Sequence, residues 1–343
     1  MSQIDPIALD LLYRRSLRPT WRTWMRHILL LLVTFVTMTI AGTLWPFGLI
    51  PYLPDADPQN FNEFLKLIQG IPAGYYHVVS GALHQILTDP VYFKYGLSFS
   101  ISLLFILTSH EMGHYIACRI YGVDCTLPFF IPTPPMIGPA GTFGAFIKIR
   151  SPIPTRRAVF DIGVAGPIAG FIALIPVAII GFATMKTVEV SAAQALQGGG
   201  LYFADPLFFK SMALVGGVDL KMAMEPNPFY FAAWVGLLVT ALNLIPSGQL
   251  DGGHAMYAIF GKRVHYWTGR IAFVAMAGLS ITGWFLYGSP SGFLITVLLG
   301  VMMRIRHPEP LDDEPIDFKR KVVAVLTLLI FILCFAPFPI QIN

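Results

Sequence analysis

The chain has 343 residues, a mean hydropathy of +0.66 and only 12% charged residues, about half the charged share of a typical soluble domain. The formal net charge is +4, and the basic residues fall in short clusters between apolar runs, a pattern that argues against a nucleic-acid partner and for a lipid bilayer. The three cysteines form no CxxC, which excludes a cysteine-built metal cluster, and a Cys118–Cys125 disulfide is not expected at a cytoplasmic membrane boundary.

Residues 1–27 hold Arg14, Arg15, Arg18, Arg22 and Arg26 and are expected to be a cytoplasmic N-terminal segment. They do not resemble a cleaved signal peptide, so the apolar run Ile28 to Ile50 is expected to stay as the first transmembrane helix. Residues 51–90 read as a long external loop, acidic through Asp55, Asp57 and Glu63, with room for a short amphipathic helix within 62–85. The second span is placed at about 97–120. Residues 121–157 are rich in Pro and Gly, and the alternating segment 144–150 (GAFIKIR) suggests a strand or hairpin edge. The third span, about 158–184, carries Gly163, Gly166, Pro167 and Gly170, small residues that let helices approach closely.

A second long loop follows at 186–227. The fourth span, about 228–250, is interrupted near its end by Pro246 and Gly248. Further spans are expected at 271–287, 292–303 and 322–340, the middle one too short to cross unaided. The expected fold class is therefore an all-α polytopic membrane protein with about 6–7 transmembrane helices and a small β-hairpin. Four regions divide it: 1–27; 28–96, the first transmembrane helix and external loop; 97–260, a membrane core; and 261–343, the C-terminal transmembrane helices. With the N-terminus inside, 18 of the 23 basic residues fall in inside segments, as the positive-inside rule expects.

His110-Glu111-Met112-Gly113-His114 lies within the second span. Two imidazoles four residues apart share one helix face, and a carboxylate stands beside the first. Catalytic zinc takes three protein ligands and keeps one position for water. His110 and His114 supply two, and Glu111 is placed to act as general base and then as proton donor. The plain alternative is a pair of polar histidines on a helix, a costly arrangement inside a membrane without a metal or partner.

The candidate third ligand is Asp251, just after the Pro246–Gly248 interruption and on the same side of the membrane. Its alternative is a helix end followed by a polar turn. His254 is open between a fourth ligand, a hydrogen-bond partner of Asp251 and an oxyanion-stabilising group. Asn243 is either a binder of substrate backbone or a helix-end cap. The 144–150 segment either takes a substrate strand by edge addition or is a structural hairpin. The Pro/Gly-rich stretch Pro132 to Gly144 is expected to fold against the catalytic helices and wall a water route.

HExxH followed by Leu242-Asn243-Leu244-Ile245-Pro246 and Leu250-Asp251-Gly252-Gly253-His254 resembles the site-2 protease family of intramembrane zinc metalloproteases. Ala165-Gly166-Pro167 resembles the small-residue segment of that family's middle core helix. The resemblance covers about 97–260 and looks most like a bacterial and chloroplast branch.

It implies a three-helix catalytic core, one Zn2+ per chain on His110, His114 and Asp251, and Glu111 as the catalytic residue. It also implies endopeptidase action on membrane proteins with a transmembrane helix. The expected location is a bacterial inner membrane with the site towards the cytoplasm. No PDZ-like stretch is recognisable, and Gly170 departs from those members that carry Asn there, so the resemblance does not carry over a substrate-gripping role at that position. A proteolytically dead scaffold and a metal-permeation protein are the rival classes. The intact Glu111 and ligand set argue against the first, and the lack of internal repeats against the second.

Overall fold

The computed structural model describes residues 19–44, 46–50, 60–136, 139–186, 201–220, 225, 227–305, 307–312 and 314–342. Most of the described chain is helical. α1 (Trp21–Thr43) starts at Thr20, whose hydroxyl accepts from the Thr23 amide. α2 (Phe61–Thr88) starts at Asn60, whose side chain bonds both the Glu63 amide and the Glu63 carboxylate. Asn60 Oδ1 thereby satisfies the Glu63 amide, one of the donors a helix start leaves open, and the Asn60 side-chain amide donates to the Glu63 carboxylate. The segment expected to be a long external loop with a short helix is thus largely one helix of 28 residues. The loop reading missed it because Pro72, Gly70 and Gly74 dilute the periodic signal, yet none of them breaks the helix.

α3 (Pro90–Ile120) begins seven residues earlier than the sequence placed it, with Pro90 in the first turn and Asp89 capping Val91. β1 (Phe129–Pro132) and β2 (Thr142–Phe146) form an antiparallel hairpin. The pairing continues beyond β2, where the Thr126 amide donates to the Lys148 carbonyl at 3.0 Å and the Arg150 amide to the Asp124 carbonyl at 2.8 Å.

α4 (Arg156–Ala183) follows, then β3 (Leu201–Phe203), α5 (Leu207–Gly216) and α6 (Pro228–Asn243). The second long loop therefore holds a strand and a helix; residues 187–200 and 221–224 lie outside the described residues. α6 ends at Asn243, a tight turn spans 244–250, and α7 (Asp251–Phe260) restarts. Gly248 takes φ +56 in that turn, a conformation a β-carbon disfavours. α8 (Lys262–Tyr287), α9 (Ser291–Met302), α10 (Phe318–Cys334) and β4 (Ile340–Ile342), which pairs with β3, complete the chain.

α3, α4, α6 and α7 pack into the centre. Two apolar clusters hold them: Phe99, Leu103, Leu174, Trp234 and Leu237 on one level, and Cys118, Val159, Phe160 and Ala258 on the other. Outward faces carry large exposed apolar side chains, among them Leu29, Ile101, Ile172 and Phe285, a surface suited to hydrocarbon rather than water. Among the described residues four helices, α1, α3, α4 and α8, are long and apolar enough to cross a membrane, which makes this a multi-pass membrane protein. That is fewer than the six or seven expected. α6 has 16 residues, α9 has 12 and α10 has 17, all short of the ~20 that a straight crossing uses.

The Pro132 to Gly144 stretch contributes none of its described residues to the cleft at the catalytic helices. Its turn seats on α1, where the Thr37 hydroxyl donates to the Gly141 carbonyl at 2.8 Å; residues 137 and 138 lie outside the described set. The hairpin's base is held by His27 Nδ1, 2.8 Å from the Pro128 carbonyl. Cys118, Cys125 and Cys334 are all free.

Candidate metal centre

His110 and His114 sit one turn apart on α3, both buried, with rings 4.9 Å apart. Their Nε2 atoms are 3.1 Å apart. Asp251 is the first residue of α7, and the preceding turn aims its carboxylate back at α3: Oδ2 lies 3.2 Å from His110 Nε2 and 3.4 Å from His114 Nε2. Among the described residues these three make the one group able to hold a metal ion. Zn–N and Zn–O bonds of about 2.0–2.1 Å at tetrahedral angles imply ligand atoms about 3.3 Å apart. The observed triangle meets that edge length, and two imidazoles with a carboxylate are a donor set zinc accepts. The cluster thus matches a single Zn2+ site with one position left over.

The ligands are oriented from behind. His114 Nδ1–H donates to the Ile162 carbonyl at 2.7 Å, which leaves Nε2 as the lone-pair nitrogen, the usual outer support of a metal-bound histidine. α4 reaches this close because its facing residues are glycines. A β-carbon at Gly166 would lie 2.1 Å from His114 Nε2, one at Gly170 3.1 Å from His110 Cβ, and one at Gly163 2.7 Å from His254 Cβ. In return Gly113 of α3 admits the Ala165 carbonyl. The small-residue face seen in the sequence is therefore the mould of the site.

Glu111 is buried on the same helix, turned towards a cleft of about 610 Å3 that opens on the cluster. The backbone of Ile147 hydrogen-bonds its carboxylate. The strand carrying Ile147 is an edge. Lys148 and Arg150 spend their backbone groups on Thr126 and Asp124, so the alternate residues Ile147 and Ile149 present theirs to the cleft. Residues 145–153 line the cleft, the wall that the sequence had assigned to 132–144.

Asn243, the last residue of α6, places Nδ2 3.3 Å from His110 Nε2 and lines the cleft. His254 is not among the metal-holding group. Its Nδ1 lies 2.7 Å from His307 Nε2. The sequence reading did not single out His307, Glu309 or the Ile162 carbonyl. No local pattern marks them, since each acquires its role from a contact distant in the chain.

Comparison with known proteins agrees with this geometry. The model of Peptidase family M50 matches residues 98–281, more than half of the chain. Among similar proteins, the "Probable zinc metalloprotease EGY2, chloroplastic" of Oryza sativa subsp. indica is 29% identical over 245 residues, covering 68% of this chain and 41% of the relative. The "Probable zinc metalloprotease EGY1, chloroplastic" of Arabidopsis thaliana is 34% identical over 192 residues, covering 55% of this chain and 34% of the relative. The chain thus spans about two fifths or less of the length of these relatives. With HExxH, Asp251 and the matched core in place, the chain belongs to peptidase family M50.

Proposed function

We propose that this protein is a membrane-embedded zinc metalloendopeptidase that hydrolyses peptide bonds in or near transmembrane segments of membrane proteins. The observation that carries the reading is the convergence of His110 Nε2, His114 Nε2 and Asp251 Oδ2 beside the Glu111 carboxylate, in a cleft walled by an open strand edge. Bound zinc would polarise the scissile carbonyl and lower the pKa of water at the site. Glu111 would take a proton from the attacking water as its oxygen bonds the carbonyl carbon, and would then pass that proton to the amine nitrogen, which leaves as the peptide C–N bond breaks.

The strand edge supplies the substrate's alignment. A transmembrane helix offers no free backbone groups until it unwinds. Once extended, its backbone can pair with the Ile147 carbonyl and the Ile149 amide and carbonyl, an edge addition that is indifferent to most side chains. Asn243, at the end of α6, serves as a further polar contact for extended backbone.

The membrane arrangement extends the four long helices. We infer six or seven crossings, with α6, α9 and α10 as the shorter ones. α6 needs less lipid-facing length because most of its surface is packed in protein. The site then faces the side rich in Lys and Arg, which in a bacterial plasma membrane is the cytoplasm. The regions 1–27, 28–96, 97–260 and 261–343 are read as an N-terminal segment, a first transmembrane helix with its external segment, the catalytic core and the C-terminal transmembrane helices.

Glu111→Gln tests the function. Purified parent and variant are incubated in detergent with a synthetic single-span peptide and with unfolded casein, and zinc content is measured alongside. The parent is expected to cleave, and the variant to keep its zinc and lose about 10²–10⁴-fold in rate. A variant rate within a few-fold of the parent would place the base elsewhere. A zinc-loaded parent that cuts neither probe would remove the protease reading.

A further inference from the structure

The segment after α9 lies beyond the residues matched by the family model, yet it reaches the cleft. Pro308 and Glu309 line the cleft together with residues 145–153. Several bonds pin the segment. The Leu311 amide donates to the Ile153 carbonyl at 3.1 Å, the Asp312 amide to the Pro154 carbonyl at 3.1 Å, and the Arg156 amide to the Asp312 carbonyl at 3.0 Å. Glu309 pairs with Lys262. His307 is stacked on Tyr257 of α7, with ring centroids 4.3 Å apart and planes within 9°.

The hydrogen bonds around His307 can be solved by elimination. His307 Nδ1 is 2.7 Å from the Pro308 carbonyl. A carbonyl only accepts, so Nδ1 carries the proton. Burial, with His254 and His265 nearby, holds the His307 imidazole down at about 3, so the ring is neutral at physiological pH. Its Nε2 is then a lone pair, and it faces His254 Nδ1 at 2.7 Å. His254 must therefore donate from Nδ1, which leaves its Nε2 as an acceptor. His254 lines the same cleft as Glu111 and the metal ligands, and no hydrogen bond of Nε2 to another described residue competes for that lone pair.

We propose that His307 is a positioning residue that fixes His254 in its Nδ1–H form, so that His254 offers Nε2 to a backbone N–H of the peptide held in the cleft. The proposal rests on the peptidase reading above and deepens it. The strand edge aligns the extended substrate, and the His254–His307 pair, lining the same cleft, receives one of its amides. A lone-pair nitrogen discriminates a peptide N–H from the oxygen of an ester, which has no hydrogen to give.

Three measurements test it. Selective ¹⁵N-histidine labelling of the detergent-solubilised protein reads the tautomers without any need for catalysis. His254 is expected as the Nδ1–H form, and that form is expected to be lost in His307→Leu. Kinetics with the single-span peptide come second. His307→Leu is expected to raise KM roughly three- to tenfold with zinc content unchanged, while His307→Gln, whose amide can both accept from His254 and donate to Pro308, recovers most of the loss. Third, single amide-to-ester replacements flanking the mapped cleavage site should reveal one position where the parent loses several-fold and His254→Ala loses nothing more.

An Nε2–H form of His254, or equal behaviour of the Leu and Gln variants, would overturn the proposal, as would ester penalties identical in parent and His254→Ala. If His307→Leu fails to fold, the parent tautomer and the His254→Ala ester series decide. A parent with the expected tautomer that cuts no peptide would instead count against the peptidase reading.

Discussion

Gly166 of α4 lies directly against His114 of α3, so close that a β-carbon at position 166 would stand 2.1 Å from the His114 Nε2 that faces the metal site. The absence of a side chain at this position is therefore part of the metal centre. Gly166→Ala would ordinarily favour a helix interior by about 1 kcal/mol. Here it is expected to cut zinc occupancy sharply while leaving the helical content intact. Gly170→Ala, with 3.1 Å to His110 Cβ, should have a milder effect. Metal analysis of both variants checks the order, and equal occupancy in the two would refute it.

The ligand triangle predicts one zinc per chain. His110→Ala, His114→Ala and Asp251→Ala should each lower the zinc-to-protein ratio, because two remaining protein ligands hold zinc poorly. Asp251→Ala is the discriminating variant, since only the turn after α6 brings it to α3. Full zinc retention in all three single variants would refute the site.

The open strand edge predicts an effect of a single backbone hydrogen. Ile147→Pro deletes the amide beside Glu111, at a position whose N–H is not used by the hairpin. Proline is tolerated on such an edge, so folding and zinc content should persist. Cleavage of the single-span peptide should fall at least tenfold, through lost support of Glu111. Unchanged cleavage would show that the edge takes no part.

The charge asymmetry predicts sidedness. Single cysteines at positions 57, 154, 188 and 263, in a background lacking the three native ones, can be labelled on intact cells with an impermeant reagent. Labelling is expected at 57 and 188 and not at 154 and 263. The opposite pattern would invert the protein in its membrane.

The N-cap of α10 predicts an acid sensitivity. The Arg320 amide and guanidinium hold the Asp317 carboxyl below the usual carboxylate range. A depressed folded pKa stabilises the protein above the unfolded value of about 3.9 and is lost as pH falls through the folded value. Arg320 also pairs with Asp161 of α4 and bonds the Tyr121 hydroxyl, so this cluster ties α10 to the core. Thermal stability should decline below about pH 4, and Asp317→Asn should lower it at neutral pH while flattening that decline. An unchanged profile would show the contact to be energetically silent.

What the sequence determined by itself was the chemistry and its order along the chain. HExxH sets two imidazoles on one helix face through the 3.6-residue period alone, and Pro246 and Gly248 mark the break that lets Asp251 turn inward. Apolar runs and basic clusters likewise report a membrane protein without any knowledge of packing. The tertiary structure decided everything that depends on proximity between distant segments: the closing of Asp251 onto α3, the glycine mould on α4, the Ile162 carbonyl behind His114, the cleft wall at 145–153 rather than 132–144, and the arrival of His307 beside His254. Helix lengths also departed from the hydropathy pattern. α2 forms where a loop was read, because the Asn60 N-cap and packing of Ala82 and Ile86 outweigh its glycines and proline. The division has one physical cause. Local periodicity places a side chain on a face of its own element, while its partners come from long-range packing, which leaves no trace in neighbouring residues.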